Sequence, residues 1–310
     1  SVLSDLTGLL SEGSLEVLRV LPEVVATVGS HVSPDSREPF LDEMGRLLQH
    51  KLWVVRQSAA LQLRTATLFA SDDASRARVL ALALAAQADP SKWVRQAAKR
   101  TLGFVIASLP TSLVSSAALD AFAALPEASE ETDDGDIAFA CAFTLPGVLQ
   151  ELGDGGWSRL GDCYMELAHS PIPSVRLTLA ASLGEVATLV GTEVAEEFLV
   201  PLAEEFLESD GAETVTAAAG ALGRLLPVLG SDSRRRLCCV EVRARGDEQV
   251  LLRQALLLRE NTFNWRVQAA LMREIPAVAA VATGRLLEET LLPLMHLGLT
   301  DAVAAVREAT

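Results

Sequence analysis

Few residues in this chain have the types and spacing that chemistry requires. The four histidines are His31, His50, His169 and His296. They form neither an H-x-x-x-H nor an H-E-x-x-H metal motif. The pairs Glu196–Glu197 and Glu204–Glu205 offer carboxylates, but paired acids on a surface helix are typical of a solvated face. We therefore expect no metal site.

The cysteines and glycines give no stronger signal for catalysis. The four cysteines are Cys141, Cys163, Cys238 and Cys239. No C-x-x-C pair is present, which favours a reducing setting, the cytoplasm with the nucleus as an alternative. The run from Gly153 to Gly156 is expected to be a turn between helices and not a phosphate loop. The sequence therefore predicts a protein that is not an enzyme and takes no cofactor.

Tryptophan and arginine recur together on short segments and are better candidates for a binding surface, because both dominate binding hot spots. The candidate partner-binding residues are Trp53, Arg56, Trp93, Arg95, Arg176, Trp265 and Arg266. A structural interpretation competes with this one, and we favour it for most of them. In it the indole rings pack between neighbouring repeats, and an Asp of one turn pairs with an Arg of the next.

These candidates lie on a sequence unit that repeats, and its clearest copy is DPSKWVRQAAKRTLG (Asp89–Gly103). Asp89 can cap the following helix, since its carboxylate accepts from amides of the first turn. Val94, Ala98 and Leu102 are four residues apart, which predicts one apolar helix stripe with Leu102 buried.

Equivalent apolar positions recur along the chain at Val17, Val55, Val94, Ile137, Val175, Val215, Val267 and Val306. Their spacing is 38 to 43 residues, apart from one interval of 52. A period near forty with two helices per unit is typical of HEAT repeats. The predicted fold class is therefore all-α, an α-α superhelix (HEAT-repeat solenoid) of about eight helical pairs with the last one truncated. Because no repeat buries its own apolar face, we expect residues 1–310 to form a single solenoid.

Two segments depart from this period. The run 127–136, EASEETDDGD, is predicted to be a solvated acidic loop. An irregular insertion at about 233–244, SRRRLCCVEVRA, is predicted to be an added helical turn or a longer first helix. Its arginines, Arg234 to Arg236, either hold an acidic partner or merely solvate the insertion. The missing initiator Met and the end inside a repeat indicate a fragment of a longer protein.

Composition narrows the classes of partner. The chain is 50% hydrophobic and 22% charged, with a net charge of −15. An acidic chain is a poor candidate for binding nucleic acid or an anionic membrane. No apolar run of membrane-spanning length is free of charged or helix-breaking residues. We therefore expect protein partners, with no nucleic acid and no membrane.

Several segments resemble the family of HEAT-repeat regulatory subunits of protein phosphatase 4. They are Asp89–Gly103, Ile137–Gly153 (IAFACAFTLPGVLQELG), Gly156–Leu160 (GWSRL), Ser174–Gly191 (SVRLTLAASLGEVATLVG) and Asn264–Ile275 (NWRVQAALMREI). The likeness runs from about Leu41 to Thr310. The last units are also similar to the scaffold subunit of protein phosphatase 2A.

The resemblance implies a non-catalytic regulatory or scaffold subunit. It would bind a serine/threonine phosphatase catalytic subunit, direct its substrates, and contact a further regulatory subunit or substrate. Gln268 replaces a basic residue that is usual at its turn, and Thr216 breaks the Val-Arg pair of the sixth repeat. A generic HEAT adaptor, such as a transport receptor, is the alternative. An enzyme on the same scaffold lacks a catalytic constellation in the sequence.

Overall fold

The computed structural model describes Gly8 and residues 14–209, 211–244, 247–252, 264–281, 284 and 287–310. The chain divides into two compact units, Ser1–Glu166 and Leu167–Thr310. Each unit has its own row of stacked helices. The continuity of one solenoid over residues 1–310 stays a prediction.

The first unit alternates a first (A) and a second (B) helix in each repeat. In chain order its helices are α1 (Leu15–His31), α2 (Glu38–Leu47), α3 (Trp53–Leu61), α4 (Leu63–Ala66), α5 (Asp73–Ala86), α6 (Lys92–Ile106), α7 (Ser116–Ala123), α8 (Leu125–Thr132), α9 (Gly135–Leu152) and α10 (Gly156–Ala168). The A helices are α2, α5, α7 with α8, and α10. The B helices are α1, α3 with α4, α6 and α9, and they pack in the order α1, α3, α6, α9.

The second unit continues the alternation. Its elements are α11 (Pro173–Val194), α12 (Val200–Leu207), α13 (Ala212–Leu225), α14 (Ser231–Cys238), β1 (Cys239–Ala244), β2 (Asp247–Leu252), α15 (Trp265–Arg273), α16 (Ile275–Val281), α17 (Leu292–Leu299) and α18 (Ala304–Ala309). The B helices α11, α13, α15 and α18 pack in that order. Each B helix therefore covers the apolar stripe of the preceding one, which is the nearest-neighbour packing of a helical-repeat solenoid.

The predicted periodic positions form the core of this packing. The buried ones are Val55, Val94, Ile137, Val175, Val215, Val267 and Val306. Leu102 is also fully buried, as predicted. Val17 was assigned wrongly, since it is 39% exposed and its neighbour Leu18 faces the core instead.

Two glycines let B helices approach closely. Gly103 on α6 and Gly184 on α11 both lie nine residues after the periodic valine of their repeat. A Cβ at Gly103 would collide with Thr144 of α9 and come within 2.7 Å of Phe122. A Cβ at Gly184 would lie 2.6 Å from the carbonyl oxygen of Ala221 on α13. The same repeat position therefore sets the helix separation in both units.

Prolines mark where helices are interrupted. Five prolines lie within or at the start of helical segments, namely Pro146, Pro201, Pro227, Pro276 and Pro293. Pro201 and Pro293 each follow a five-residue π-helical turn, at Ala195–Leu199 and Leu287–Leu291. Because proline cannot donate to the carbonyl four residues earlier, the wider turn accommodates its ring. Pro227 lies in a 3-10 turn, Pro276 follows a break at Glu274, and Pro146 lies inside α9.

Most residues of the acidic run are exposed, as predicted for a solvated segment, but the run is not the loop that we predicted. Residues 127–132 belong to helix α8, which ends at the left-handed Asp133 (φ 50°). Asp134 is buried, and its carboxylate lies 2.6 Å from Nη2 of Arg100 on α6. The run forms a helix because Glu and Ala favour helix. Arg100 neutralises Asp134 just before α9, which holds the end of the run in place.

The insertion also departs from its prediction. Helix α14 ends at Cys238, and β1 then pairs antiparallel with β2, with Cys239 opposite Leu252 and Ala244 opposite Asp247. The added helical turn is therefore wrong for residues 239–244. The repeat pattern also predicts a helix over Gln249–Glu260 as the first helix of the seventh pair, and this is wrong for Gln249–Leu252, which belong to β2. Residues 253–260 lie outside the described ones. Apart from this hairpin, the described elements are helical, and the predicted fold class is confirmed.

The stretch Pro173–Leu207 is long and apolar enough in composition to cross a membrane. Gly191, with φ 79° and ψ 176°, interrupts its helical geometry. Leu179, Leu183 and Val186 are buried, whereas Glu185 is exposed. This one-sided burial is typical of a helix in a packed repeat.

The packing of Leu102 yields a first prediction. Leu102→Ala removes a fully buried side chain from α6 and should lower the free energy of unfolding by about 2–5 kcal/mol. Because repeats contact mainly their neighbours, hydrogen exchange should accelerate most in α3, α6 and α9. Equal acceleration in every described helix would contradict nearest-neighbour packing.

The glycine contacts yield a second prediction, with a matched control on the partner helix. Gly184→Ala should destabilise the protein by about 1–3 kcal/mol, because the backbone of α13 blocks the added methyl. Gly220→Ala on α13 meets nothing within 4 Å and should stabilise it by about 0.5–1 kcal/mol. Urea unfolding measures both, and equal effects of the two substitutions would show that Gly184 does not set the helix separation.

Candidate functional site

The turn between the A and B helices has the same construction in several repeats. The periodic arginine of the B helix donates from Nη1 to main-chain carbonyl oxygens of its own turn, beginning six residues earlier. The side chain at that earlier position accepts the N–H two residues ahead. The A helix ends with free carbonyls that need donors, so the arginine closes the turn.

Four copies of this turn are described. The arginine donates to the carbonyl six residues earlier in Arg56 to His50 (2.8 Å), Arg95 to Asp89 (2.7 Å), Arg176 to Ser170 (2.6 Å) and Arg307 to Asp301 (2.7 Å). The accompanying side-chain acceptors are His50 Nδ1, Asp89 Oδ1, Ser170 Oγ and Asp301 Oδ1. In the sixth repeat Thr216 replaces the arginine and donates to Ala212 within its own helix.

Asp89 joins two repeats of the first unit. Its carboxylate accepts two bonds from the Arg56 guanidinium, at 2.8 Å from Nε and 3.0 Å from Nη2. This pairing holds the pKa of Asp89 below its usual value, although burial opposes the shift. The pKa of Arg56 is raised for the same reason. A fork-shaped pair of this kind fixes the relative position of the two turns.

The predicted Asp–Arg ladder is therefore confirmed for one rung, Arg56 with Asp89. Arg95 does not continue it, because its Nη1 donates to its own turn, and Asp134 of the next repeat pairs with Arg100 instead. The predicted helix cap is also corrected. Helix α6 begins at Lys92, and the main-chain N–H that Asp89 accepts is that of Ser91, before the first turn of the helix. The remaining bonds of the carboxylate go to Arg56.

The structure brings Trp53 and Trp93 together in the first unit. Their rings stack with centroids 6.4 Å apart, so they pack between neighbouring repeats as the structural interpretation proposed. Both remain partly open to solvent, at 42% and 46%. The Lys92 ammonium lies 4.6 Å from the centre of the Trp93 ring. The turn surface therefore presents an aromatic pair edged by a cation.

The second unit places Trp265 and Arg266 side by side. Trp265 is 38% exposed, and the Arg266 guanidinium lies 4.7 Å above its ring. Asn264 caps α15 by accepting from the N–H groups of Arg266 and Val267. The Arg266 side chain is exposed, and the residues of the turn that precedes Asn264 lie outside the described part of the chain. That these residues bind a partner stays a prediction.

The other candidates are occupied by contacts within the second unit. Glu196 accepts from the N–H of Gly230, Glu204 pairs with Arg236, and Glu205 lies 3.3 Å from His169. Arg234 donates to the carbonyl oxygens of Leu226 and Pro227. The side chains of Arg235, Cys238 and Cys239 lie outside the description. Among the described residues no three His, Cys, Asp or Glu side chains could hold one metal ion.

Two further cysteines meet in the first unit. The thiols of Cys141 on α9 and Cys163 on α10 are buried, and their sulfur atoms are 3.9 Å apart. Burial, and the neighbouring thiol to a smaller extent, raises the pKa of Cys141. Both behave as packed apolar side chains.

The sequence analysis missed an aromatic cluster on the B helices of the first unit. The Phe143 ring lies 5.9 Å from Phe104 and 6.3 Å from Phe139, measured between centroids. Phe143 is 58% exposed. The available signal was the four-residue spacing of Phe139 and Phe143 in a chain with 5% aromatic residues.

The stacked helical pairs and their repeated turns define a HEAT-type helical-repeat protein. No protein-family model matches the chain. It is similar to serine/threonine-protein phosphatase 4 regulatory subunit 1 of Homo sapiens and of Mus musculus, at 31% identity over 196 residues in each case. The aligned region is 63% of this chain and 19% of each relative. The resemblance seen in the sequence is thereby confirmed, and the chain spans only about a fifth of those relatives.

Solved structures agree on the fold. The crystal structure of Kap121p bound to Pho4p matches with a TM-score of 0.63 at 17% identity, covering 99% of this chain and 32% of that one. An engineered protein matches with a TM-score of 0.52 at 19% identity, covering 74% of this chain and 99% of that one. At these identities the matches establish a shared fold only.

The Arg56–Asp89 pair yields a third prediction. Because the pKa of Asp89 is lowered in the folded chain, its stabilisation is complete above its unfolded pKa of about 4. That stabilisation is lost as the pH falls through the lower folded value. Asp89→Asn should therefore cost about 1–3 kcal/mol at neutral pH, and the cost should shrink below about pH 4.

Urea unfolding of both proteins across pH measures this difference. Asp120→Asn is the control, since Asp120 pairs with Arg159 on an exposed surface and should cost about 0–1 kcal/mol. A cost for Asp89→Asn that stays constant down to acid pH would rule out the ion pair as its cause.

Proposed function

We propose that this chain is part of a non-catalytic regulatory or scaffold subunit. It binds the catalytic subunit of a serine/threonine protein phosphatase and directs its choice of substrate. The observation that carries the proposal is the 31% identity with phosphatase 4 regulatory subunit 1. Those relatives are named as regulatory subunits, which supports a role without catalysis.

The turn surfaces are the proposed contacts with the catalytic subunit. Arg56, Arg95 and Arg176 close their own turns, so they support the surface from within. The side chains left open for a partner are the Trp53–Trp93 stack in the first unit and Trp265 with Arg266 in the second. Half-exposed tryptophan beside a cation is a common hot-spot composition.

A generic HEAT adaptor is the second candidate function. Its support is the match to the karyopherin Kap121p, whose structures include complexes with protein segments. That match concerns the fold, whereas the similarity to the phosphatase subunit is in sequence. The similarity in sequence therefore favours the phosphatase role over the generic adaptor role.

The charge of Arg266 provides the test. Purified wild-type chain and Arg266→Glu are compared for binding to a phosphatase 4 catalytic subunit by surface plasmon resonance. Charge reversal removes the cation above Trp265 and should weaken binding by about tenfold or more. Circular dichroism should be unchanged, because the Arg266 side chain is exposed.

Arg273→Glu is the matched control, since Arg273 is exposed in the last turn of the same helix. It should bind like the wild type. If Arg266→Glu also binds like the wild type, the Trp265–Arg266 turn is outside the interface. If the wild-type chain binds no phosphatase catalytic subunit, the regulatory proposal fails.

A further inference from the structure

The exposed apolar side chains of the first unit are unevenly distributed. Among its described residues, the large exposed ones are Leu15, Val17, Val20, Trp53, Leu61, Leu68, Trp93, Phe139 and Phe143. All of them lie on B helices except Leu68, which follows α4 directly. The A helices of this unit expose none of this kind. The B-helix row therefore carries apolar surface that the fold does not use.

Part of this surface, with one half-buried ring and one cation, forms a contiguous group, which we call the B-helix patch: Arg64, Phe104, Phe139 and Phe143. The Phe143 ring of α9 lies beside both Phe139 of the same helix and Phe104 of α6. The Arg64 guanidinium of α4 lies 5.8 Å from the centre of the Phe104 ring. Three successive repeats thus contribute to one surface of aromatic rings with a cation at its edge.

The charge of these helices is opposite to that of the chain. Helices α3, α4 and α6 contain no Asp or Glu, although the chain has a net charge of −15. Residues 51–100 hold nine of the 26 Lys and Arg but only three of the 41 Asp and Glu. One of those three acids, Asp89, is already paired with Arg56. Among the described residues, Arg64 is exposed and forms no ion pair.

The same face already binds carboxylates within the chain. Arg100 of α6 lies four residues before Phe104, and its Nη2 is 2.6 Å from the buried carboxylate of Asp134. Its Nη1 is 3.2 Å from the exposed carboxylate of Asp136. Arg100 is therefore already paired within the chain, which leaves Arg64 as the cation beside the rings.

We propose that the B-helix patch docks an acidic segment of another protein, in which carboxylates flank at least one large apolar side chain. The apolar side chain would cover Phe104, Phe139 and Phe143, because exposed aromatic rings gain most from being buried. A carboxylate would pair with Arg64, which lies among helices α3, α4 and α6 that contain no acidic residue. This contact is separate from the turn surfaces assigned to the phosphatase.

Charge argues against two other occupants. A nucleic acid is bound through several cations along its phosphates, whereas the B-helix patch holds a single cation, Arg64. In a symmetric dimer the same patch faces itself, which would place cation against cation. Both remain outcomes that the experiment detects.

The experiment uses the whole chain and no phosphatase, so its result is independent of the proposed function. A random peptide library displayed on phage is selected on the purified chain, and a selected peptide is labelled for fluorescence anisotropy. Enriched peptides should combine Asp or Glu with Phe, Leu or Trp. Arg64→Glu and Phe143→Ser should each weaken binding of that peptide by about tenfold. Binding should also fall as salt rises.

Arg76→Glu on α5 is the matched control, since Arg76 is a partly exposed cation of an A helix, where it pairs with Asp73. It should leave the affinity unchanged. Two variants on different helices guard against loss of folding, which circular dichroism reports directly. The proposal is wrong if no acidic peptide is enriched or if both variants bind the selected peptide normally. It is also wrong if polyuridylate RNA binds with the same Phe143 dependence, or if Phe143→Ser converts a dimer to a monomer in gel filtration.

Discussion

Burial of each B helix against the next is the constraint on which this structure depends. A helix such as α6 has apolar residues on the sides that face α3 and α9, so it is stable only between both neighbours. Because Gly103 has no Cβ, Thr144 of α9 can lie against its backbone, and Gly184 allows the same close approach of α13. Glycine at one repeated position therefore sets the separation between neighbouring B helices.

The A helices are connected in a different way. Arg78 of α5 bonds to Glu38 and Asp42 of α2, and Arg159 of α10 bonds to Asp120 of α7. These pairs are half-exposed and contribute little stability individually. These pairs nevertheless engage charged side chains of the A helices in contacts within the chain. The exposed apolar side chains lie on the B row, so the two faces of the first unit differ in what they offer a partner.

The period and the core were predictable because they depend on local patterns. The periodic positions from Val55 to Val306 recur about every forty residues, and each lies on the apolar stripe of a helical pattern, which predicts its burial. The acidic run was misassigned because its charge was weighed above its helix propensity, although Glu and Ala favour helix in EASEET. The hairpin was missed because the alternation in CVEVRA was judged against a helical period.

The candidate site was predictable only in part, because contacts across repeats are not visible in sequence. The recurrence of arginine in the sequence identified the turn positions correctly. It could not distinguish arginines that stabilise a turn from arginines that are free to bind a partner. The hydrogen bonds of Arg56, Arg95 and Arg176 show that they hold the turn itself. Phe104 and Phe143 are 39 residues apart in the chain and meet only because α6 and α9 pack together.

This separation of roles bears on how binding is assigned in a repeat protein. Removing Arg95 would leave turn carbonyls without a donor, so lost binding could reflect a loosened repeat. Arg266 and Arg64 differ, because each has an exposed side chain that lies beside an aromatic ring. The residues that recur most regularly in this chain are therefore those that build it. The residues that can distinguish partners are those that differ from one repeat to the next.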